Sequence, residues 1–249
     1  MRCAGIDIGS RSIKLVVCDA GEIKTFRRAD TGFDPMATSK RLLEGLTYDR
    51  ILATGYDRTL FEVALDTPTV TEIKAHGAGA RAFFLEVRTV LDIGGQDSRA
   101  INLNDAGRVV KFEMKDRCAA GTGKFLEIMA KALGFTLDDF GREALKAKKS
   151  LKINSMCTVF AESEVTGLVA RGEDRMEIAG GLHDSVARRA ASMLNRVSGG
   201  GSVVFTDGVA KNPCIRRMIE GLLKRPLLVP EEPQLVGAYG ASLIAASDP

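Results

Sequence analysis

The chain has 249 residues, of which 45% are hydrophobic and 27% charged, and its formal net charge is +3. This size allows a substantial core and two small domains, and the absence of an acidic or basic block argues against nucleic acid or a membrane surface as its partner. No apolar run reaches the roughly 20 residues that span a bilayer. A predicted strand begins almost at the first residue and leaves no room for a signal peptide, so we expect a cytoplasmic protein.

The first predicted element is a hairpin over residues 4–21, and the same pattern recurs over residues 90–107. In each copy an apolar strand ends in an acidic residue, Asp7 or Asp92, followed by a glycine turn and a second strand that closes on Asp-Ala-Gly. The pattern predicts two β-hairpins with polar tips. A single Asp-x-Gly is a common turn signal, but the matched pair favours a shared function.

The tips of the hairpins predict a phosphate clamp. Gly9 follows Asp7, and Gly94 and Gly95 follow Asp92. Because glycine has no Cβ, backbone N–H groups at these turns can approach and surround a polyphosphate. Asp7 and Asp92 stand at strand ends, where a carboxylate holds Mg²⁺, usually through water, or orients an attacking water.

The rest of the chain alternates between helices and strands, which favours an α/β fold. Glycines at 134, 172 and 199–201 end three of the predicted helices. The predicted elements are a helix at 40–46, a strand at 50–54, helices at 72–84, 124–133, 158–171 and 178–197, strands at 202–206 and 227–229, and a small-residue helix at 237–246.

Two glycine patterns resemble nucleotide-binding motifs but lack the required context. The Gly-Lys pair at 123–124 is not a P-loop, because Cys118 stands where the motif has glycine and Phe125 where it has serine or threonine. The glycine string at 77–82 lacks the preceding strand of a dinucleotide fold, so we interpret it as a tightly packed helix. We interpret the neighbouring His76 as a structural hydrogen-bonding residue.

The five cysteines have no Cys-x-x-Cys spacing, which argues against a zinc ribbon or a self-contained ferredoxin-type cluster. We interpret Cys3, Cys18 and Cys214 as structural because of their positions in and around the core elements. Cys118 and Cys157 each stand just ahead of a predicted helix, where free N–H groups and the helix dipole favour a thiolate. From the residues alone, each of these two is either a buried thiol or a metal ligand.

Several segments resemble a known group of ATPases. The two hairpins and the glycine segment at 203–213 are similar to the actin, sugar-kinase and heat-shock-protein ATPase superfamily, whose two related domains hold ATP between duplicated hairpins. Within it, essentially the full chain resembles the ATP-dependent activators of 2-hydroxyacyl-CoA dehydratases and the related ATPase subunits of benzoyl-CoA reductase. The motifs that carry this closer resemblance are Gly5–Ser10, Asp92–Asp97, Lys115–Leu126 and Met156–Val165.

The resemblance implies an α/β, two-domain, actin-like ATPase fold of the ribonuclease H-like type. We expect an N-terminal subdomain over 1–90, completed by a C-terminal helix at 235–249, and a C-terminal subdomain over 91–234 that carries the cluster cysteines. Asp7 and Asp92 remain the candidates for positioning metal and water. By motif match, the expected nucleotide ligands are Gly9, Ser10, Arg11, Ser12 and Lys14 in the first turn, Gly94, Gly95 and Gln96 in the second, and Gly208, Asn212 and Gln234 near the adenosine.

The resemblance also implies a redox role. Members of this family bind iron and sulfur through the two cysteines that match Cys118 and Cys157. A 4Fe-4S cluster normally takes four thiolates, so a subunit with two would share it across a twofold axis, and we expect a homodimer. The implied activity is to accept one electron from a ferredoxin or flavodoxin, hydrolyse Mg²⁺-ATP to ADP, and pass the electron to an acyl-CoA dehydratase. Closure of the Asp92 turn around phosphate is expected to shift the helix after Cys118.

Two residues depart from the pattern of this family. Asp207 stands where a second glycine is usual, and Arg11 replaces a small residue. Glu162 and Glu164 match an acidic pair of the family, although a solvated helix face explains them equally well. Three alternatives stay open: an ATPase subunit of the benzoyl-CoA reductase type, a small-molecule kinase of the same superfamily, and a regulatory ATPase that acts only as a binding module.

Overall fold

The computed structural model describes residues 1–116, 119–149, 151–154 and 157–247. The first of its two sheets has the order β3-β2-β1-β4, in which β4 runs parallel to β1 and the other neighbours are antiparallel. Its strands are β1 (Arg2–Ile8), β2 (Ser12–Asp19), β3 (Glu22–Asp30) and β4 (Arg50–Thr54).

The second sheet repeats this topology and adds one strand. Its strands are β5 (Val87–Ile93), β6 (Ser98–Leu103), β7 (Val109–Lys115), β8 (Ser202–Thr206) and β9 (Leu227–Leu228). Their order is β7-β6-β5-β8-β9, with β8 parallel to β5 and β9 parallel to β8. The duplicated sequence pattern therefore corresponds to a duplicated arrangement of four strands.

Helices cover both sheets, and none in the described ranges is long and apolar enough to cross a membrane. Short 3₁₀ turns occupy 208–211 and 233–235. The helices are α1 (Pro35–Leu43), α2 (Arg58–Leu65), α3 (Glu72–Phe83), α4 (Gly123–Ala132), α5 (Leu137–Ala144), α6 (Thr158–Ala170), α7 (Arg175–Val197), α8 (Pro213–Leu223) and α9 (Val236–Ser247).

Most predicted elements are present, with ends that differ by up to three residues. The bounds 40–46 predicted for the first helix are wrong, because α1 begins five residues earlier. There Asp34 accepts hydrogen bonds from the amides of Met36 and Ala37, and Pro35 fits the first helical turn, where its missing N–H has no partner to lose. Strands β3 and β7 and helices α2, α5 and α8 are not among the elements predicted from the sequence.

Helix α9 returns the end of the described chain to the first sheet. It lies directly on β1, since a Cβ on Gly5 would come within 2.0 Å of the carbonyl oxygen of Ala238. It approaches α3 just as closely, since a Cβ on Gly240 would be 1.8 Å from the carbonyl oxygen of Ala75. The small residues of this segment thus permit the predicted close packing. The predicted subdomain limits at 90 and 234 stay a prediction.

Separate apolar cores support the two sheets. Beneath the first sheet, Ile6, Ile13 and Leu15 pack with side chains of α1 and α2. Beneath the second, the larger core joins β5, β6 and β8 to helices α4 to α8, with Phe125 and Phe140 fully buried. These cores hold the β1–β2 and β5–β6 hairpins in place, and the turns of both hairpins face one cavity.

Candidate functional site

A cavity of about 730 Å³ lies where the turns of the two sheets meet. It is lined by both glycine turns and by the 3₁₀ turn after β8. Asp92 does not line it. The predicted residues that do are Asp7, Gly9, Ser10, Arg11, Ser12, Lys14, Gly94, Gly95, Gln96, Gly208, Asn212 and Gln234.

Lys14 places a buried positive charge at the base of this cavity. In the antiparallel register of β1 and β2 it lies opposite Asp7. Its Nζ is 3.3 Å from Asp7 Oδ2 and 3.5 Å from Asp207 Oδ1. Burial alone would lower the pKa of Lys14, but the carboxylates of Asp207 and Asp7 outweigh it and hold that pKa above its ordinary value. Lys14 is therefore a permanent cation at the place where phosphate is predicted to bind.

Asp92 occupies the equivalent strand position in the second sheet but points into the protein. Arg99, opposite it in the β5–β6 register, donates to Asp92 Oδ2 at 2.6 Å. The other carboxylate oxygen accepts from Thr206 Oγ1 at 2.8 Å and lies 3.2 Å from His76 Nδ1. Burial raises the pKa of Asp92, but His76 and Arg99 more than offset it, so the pKa lies below its usual range. Its predicted contact with metal or water stays a prediction, whereas His76 is hydrogen-bonded as expected.

Two acidic residues of the cavity wall escaped the sequence analysis. Glu72, at the start of α3, and Asp97, in the second turn, both form ion pairs with Arg99 Nη2. Burial raises the pKa of Glu72 to about 7 and that of Asp97 to about 6. Arg99 was the sequence feature that could have indicated these ion pairs. It follows Asp92 by seven residues, just as Lys14 follows Asp7.

The second turn is bonded directly to helix α4. The amide of Gly123 donates to Gly94 O and the amide of Lys124 to Gly95 O, both at 2.8 Å. A Cβ on Gly123 would lie 3.0 Å from Gly94 O, so only glycine allows this approach without displacement. The second turn and the N-terminus of α4 are therefore fixed to each other by two backbone hydrogen bonds.

Asn212 fixes the wall on the predicted adenosine side. Its Oδ1 accepts from the amides of Cys214 and Ile215, both at 3.0 Å, and so caps α8. Its Nδ2 is 3.0 Å from His183 Nε2, and His183 Nδ1 is 2.8 Å from Ala179 O. These contacts fit a neutral ring with its proton on Nδ1, and burial lowers the pKa of His183 to about 4. The side chain of Asn212 thus orders the segment through contacts within the protein.

Asp207, which replaces a glycine of the family pattern, also has an unusual backbone conformation. Asp207 has φ 65° and ψ −166°, a region occupied almost only by glycine and costing about 1–3 kcal/mol for other residues. Its Oδ1 accepts from the amide of Gly208 at 2.7 Å. Burial raises its pKa, and Lys14 partly offsets this.

Of the two predicted cluster ligands, only Cys157 is described, and Cys118 lies outside the described residues. Cys157 is exposed at the N-cap of α6, where its side chain makes no capping hydrogen bond. Cys3, Cys18 and Cys214 are buried. Burial raises the pKa of Cys214 to about 12, which fits a structural thiol that stays protonated. Within the described ranges, no three His, Cys, Asp or Glu side chains are grouped to hold a metal ion.

Residues 4–245 match the BadF/BadG/BcrA/BcrD ATPase family. An activator of lactoyl-CoA dehydratase from Anaerotignum propionicum is 40% identical, over 98% of this chain and 97% of its own length. The crystal structure of component A of the (R)-2-hydroxyglutaryl-CoA dehydratase of Acidaminococcus fermentans has a TM-score of 0.92 and 36% identity, covering 99% of this chain and 98% of that one. The activator of the 2-hydroxyisocaproyl-CoA dehydratase of Clostridium difficile, with bound ADPNP, has a TM-score of 0.91 and 35% identity, covering 99% and 95%. The predicted α/β, actin-like fold is confirmed.

Proposed function

The chain belongs to the BadF/BadG/BcrA/BcrD ATPase family, and we propose that it is an ATP-hydrolysing activator that delivers single low-potential electrons to an acyl-CoA dehydratase. The observation that carries the proposal is the cavity: all eleven predicted nucleotide ligands and Asp7 line it, between two sheets of the same topology. The three similar proteins described above are dehydratase activators or components. A dehydratase is therefore favoured over a benzoyl-CoA reductase as the partner.

The nucleotide phosphates would lie between the two glycine turns, with the ammonium of Lys14 as their counter-charge. Mg²⁺ would be held by Asp7, by water and by the phosphates, in keeping with its preference for few protein ligands. Bound there, Mg²⁺ neutralises charge that develops on the phosphate oxygens. Asp7 is buried and hydrogen-bonded to Lys14, so its carboxylate has a fixed position from which to orient a water.

Cys118 and Cys157 of two subunits would hold one 4Fe-4S cluster, which supplies a one-electron redox centre when bound. The thiol of Cys157 is accessible for such a role. Val159 and Phe160, which follow it on α6, are each 67% exposed. Covering these large apolar side chains favours association at this end of α6, which supports a homodimer built around the cysteines.

Helix α4 would couple the nucleotide to the redox centre. It begins five residues after Cys118 and is hydrogen-bonded to the second glycine turn through Gly123 and Lys124. Closure of the turns around phosphate would therefore displace the segment that carries Cys118. The electron donor, a ferredoxin or flavodoxin in this proposal, is identified by testing which of the two reduces the protein.

Anaerobic purification tests the redox part of the proposal. The protein should be brown and contain about four irons per dimer. The Cys118→Ser and Cys157→Ser variants should lose iron, whereas Cys214→Ala, which removes a buried thiol, should retain it. A double Cys118→Ser, Cys157→Ser variant that keeps its iron or still delivers electrons would refute this assignment.

Steady-state kinetics test the ATPase part. Asp7→Asn should lower kcat for ATP hydrolysis at least about 100-fold, because an amide lacks the negative charge that would hold Mg²⁺ and orient the attacking water. The protein should hydrolyse ATP with no phosphate acceptor present. A strict requirement for a small-molecule acceptor would instead favour the kinase alternative.

A further inference from the structure

Asp207 is strained at a position where the other half of the molecule has glycine. In the second sheet it follows Thr206, which pairs with Asp92 across β5 and β8. The equivalent neighbour of Asp7 in the first sheet is Thr54, and the residue after it is Gly55, with φ 104°. Both copies thus have a left-handed residue directly after the parallel strand, and only the second places a side chain there.

The side chain of Asp207 lies among groups suited to an anion. Its Oδ1 is 2.7 Å from the amide of Gly208 and 3.5 Å from Lys14 Nζ. Its Oδ2 faces the second turn, where a Cβ added to Gly94 would be 2.9 Å away. Lysine ammonium groups, backbone amides and glycine turns are groups that bind phosphate oxygens in proteins. In this structure they surround a carboxylate instead.

We propose that Asp207 is an internal anion that competes with the nucleotide phosphates for Lys14 and the Gly208 amide, and thereby sets the nucleotide affinity of the cleft. The inference rests on the proposed nucleotide site. Lys14 already pairs with Asp7, so the second carboxylate leaves the base of the cleft with excess negative charge. An entering phosphate is repelled until Asp207 gives up its contact with Lys14.

Two substitutions separate charge from backbone strain. Asp207→Asn keeps the size of the side chain and an oxygen acceptor for Gly208, and removes the charge. Asp207→Gly removes both the charge and the strain, and leaves the residue type that the first copy has at Gly55. Asp30→Asn is the matched control, because Asp30 is an exposed carboxylate on the rim of the same cavity.

The test is calorimetric titration of ADP into the full-length protein, with Mg²⁺ removed by a chelator so that the phosphate charge is not masked. Asp207→Asn and Asp207→Gly should each bind ADP about tenfold more tightly than the wild type, as expected for one close charge removed. Asp30→Asn should stay within about twofold of the wild type. Thermal unfolding verifies that each variant is folded.

Other outcomes overturn the inference in distinguishable ways. Tighter binding by Asp207→Gly alone would mean that backbone strain sets the affinity, and weaker binding by both variants would make Asp207 a nucleotide ligand. If the wild type binds ADP and neither variant changes the Kd, the internal anion is refuted and the proposed function stands. If neither the wild type nor a variant binds ADP even after Mg²⁺ is restored, the proposed nucleotide site fails together with the inference.

Discussion

The guanidinium of Arg11 lies 2.8 Å from the carboxylate of Glu127 and joins the tip of the first hairpin to helix α4. The two residues are 116 positions apart in the chain. The second turn reaches the same helix through backbone hydrogen bonds from Gly123 and Lys124. Both glycine turns therefore contact α4, as the proposed coupling of phosphate binding to this helix requires.

A double-mutant cycle with Arg11→Ala and Glu127→Ala measures the contact. The side chains are 57% and 32% exposed, so we expect a coupling energy on urea unfolding of only about 0.3–1 kcal/mol. Saturating ADP should reduce this coupling, because phosphate competes for the guanidinium. The Arg188–Asp184 pair on α7 is the control and should show no response to ADP. A coupling between Arg11 and Glu127 that is the same with and without ADP would contradict this role.

Gly123→Ala tests the backbone link between the second turn and α4. The new Cβ would be 3.0 Å from Gly94 O, so the turn or the helix must shift. We expect ADP binding to weaken about tenfold, equivalent to about 1.4 kcal/mol. Gly221→Ala is the matched control, because a Cβ there meets nothing within 4 Å on α8, and it should stabilise the protein by up to about 1 kcal/mol with unchanged ADP affinity. Equal ADP affinity in both variants would exclude the link.

The first half of the site could be predicted because its signals are local. The carboxylate of Asp7, the glycine turn and Lys14 follow one another within eight residues, and each lines the cavity as expected. Asp92 has the same local pattern, yet its carboxylate is held by Arg99 and Thr206 and does not reach the cavity. Thr206 is more than a hundred residues away, so nothing near Asp92 in the sequence reveals this contact.

The missed elements have a similar explanation. Strand β7 has an alternating pattern, but its apolar residues Val110, Phe112 and Met114 are exposed, so the pattern does not mark a buried face. Helix α5 is short and buries only one large side chain, Phe140, against α7 and α8. Its sequence does carry an N-cap, Thr136, and acidic residues in the first turn, but a helix of eight residues depends mainly on tertiary packing for its stability.

Asn212→Ala should show that the predicted adenosine segment is organised in advance by the cap of α8. The substitution removes an acceptor for two amides and leaves His183 Nε2 without its donor. We expect a loss of about 1–3 kcal/mol in the free energy of unfolding, measured with urea, and weaker ADP binding. Asp34→Ala removes a comparable two-amide cap from α1 and should lower stability alone. Unchanged ADP affinity in Asn212→Ala would contradict the role of this cap.

The partly buried carboxyl of Glu72 predicts a specific pH dependence of stability. Its pKa is raised from 4.5 to about 7 by burial, so between these values the folded protein holds a proton that the unfolded chain releases. The free energy of unfolding of the wild type therefore falls as pH rises through this window. Glu72→Gln cannot ionise and lacks this loss.

We expect the stability of Glu72→Gln relative to the wild type to increase by about 1–3 kcal/mol between pH 5 and pH 8, measured by urea unfolding at several pH values. His183 also titrates, but it is present in both proteins and cancels in the difference. Asp97 pairs with the same Arg99 Nη2 as Glu72, so a change in its titration is included in the expected range. Glu231→Gln, which removes an exposed carboxylate, is the matched control. A difference between Glu72→Gln and the wild type that does not change with pH would mean that Arg99 keeps Glu72 ionised throughout, and that the cavity wall carries its full negative charge at neutral pH.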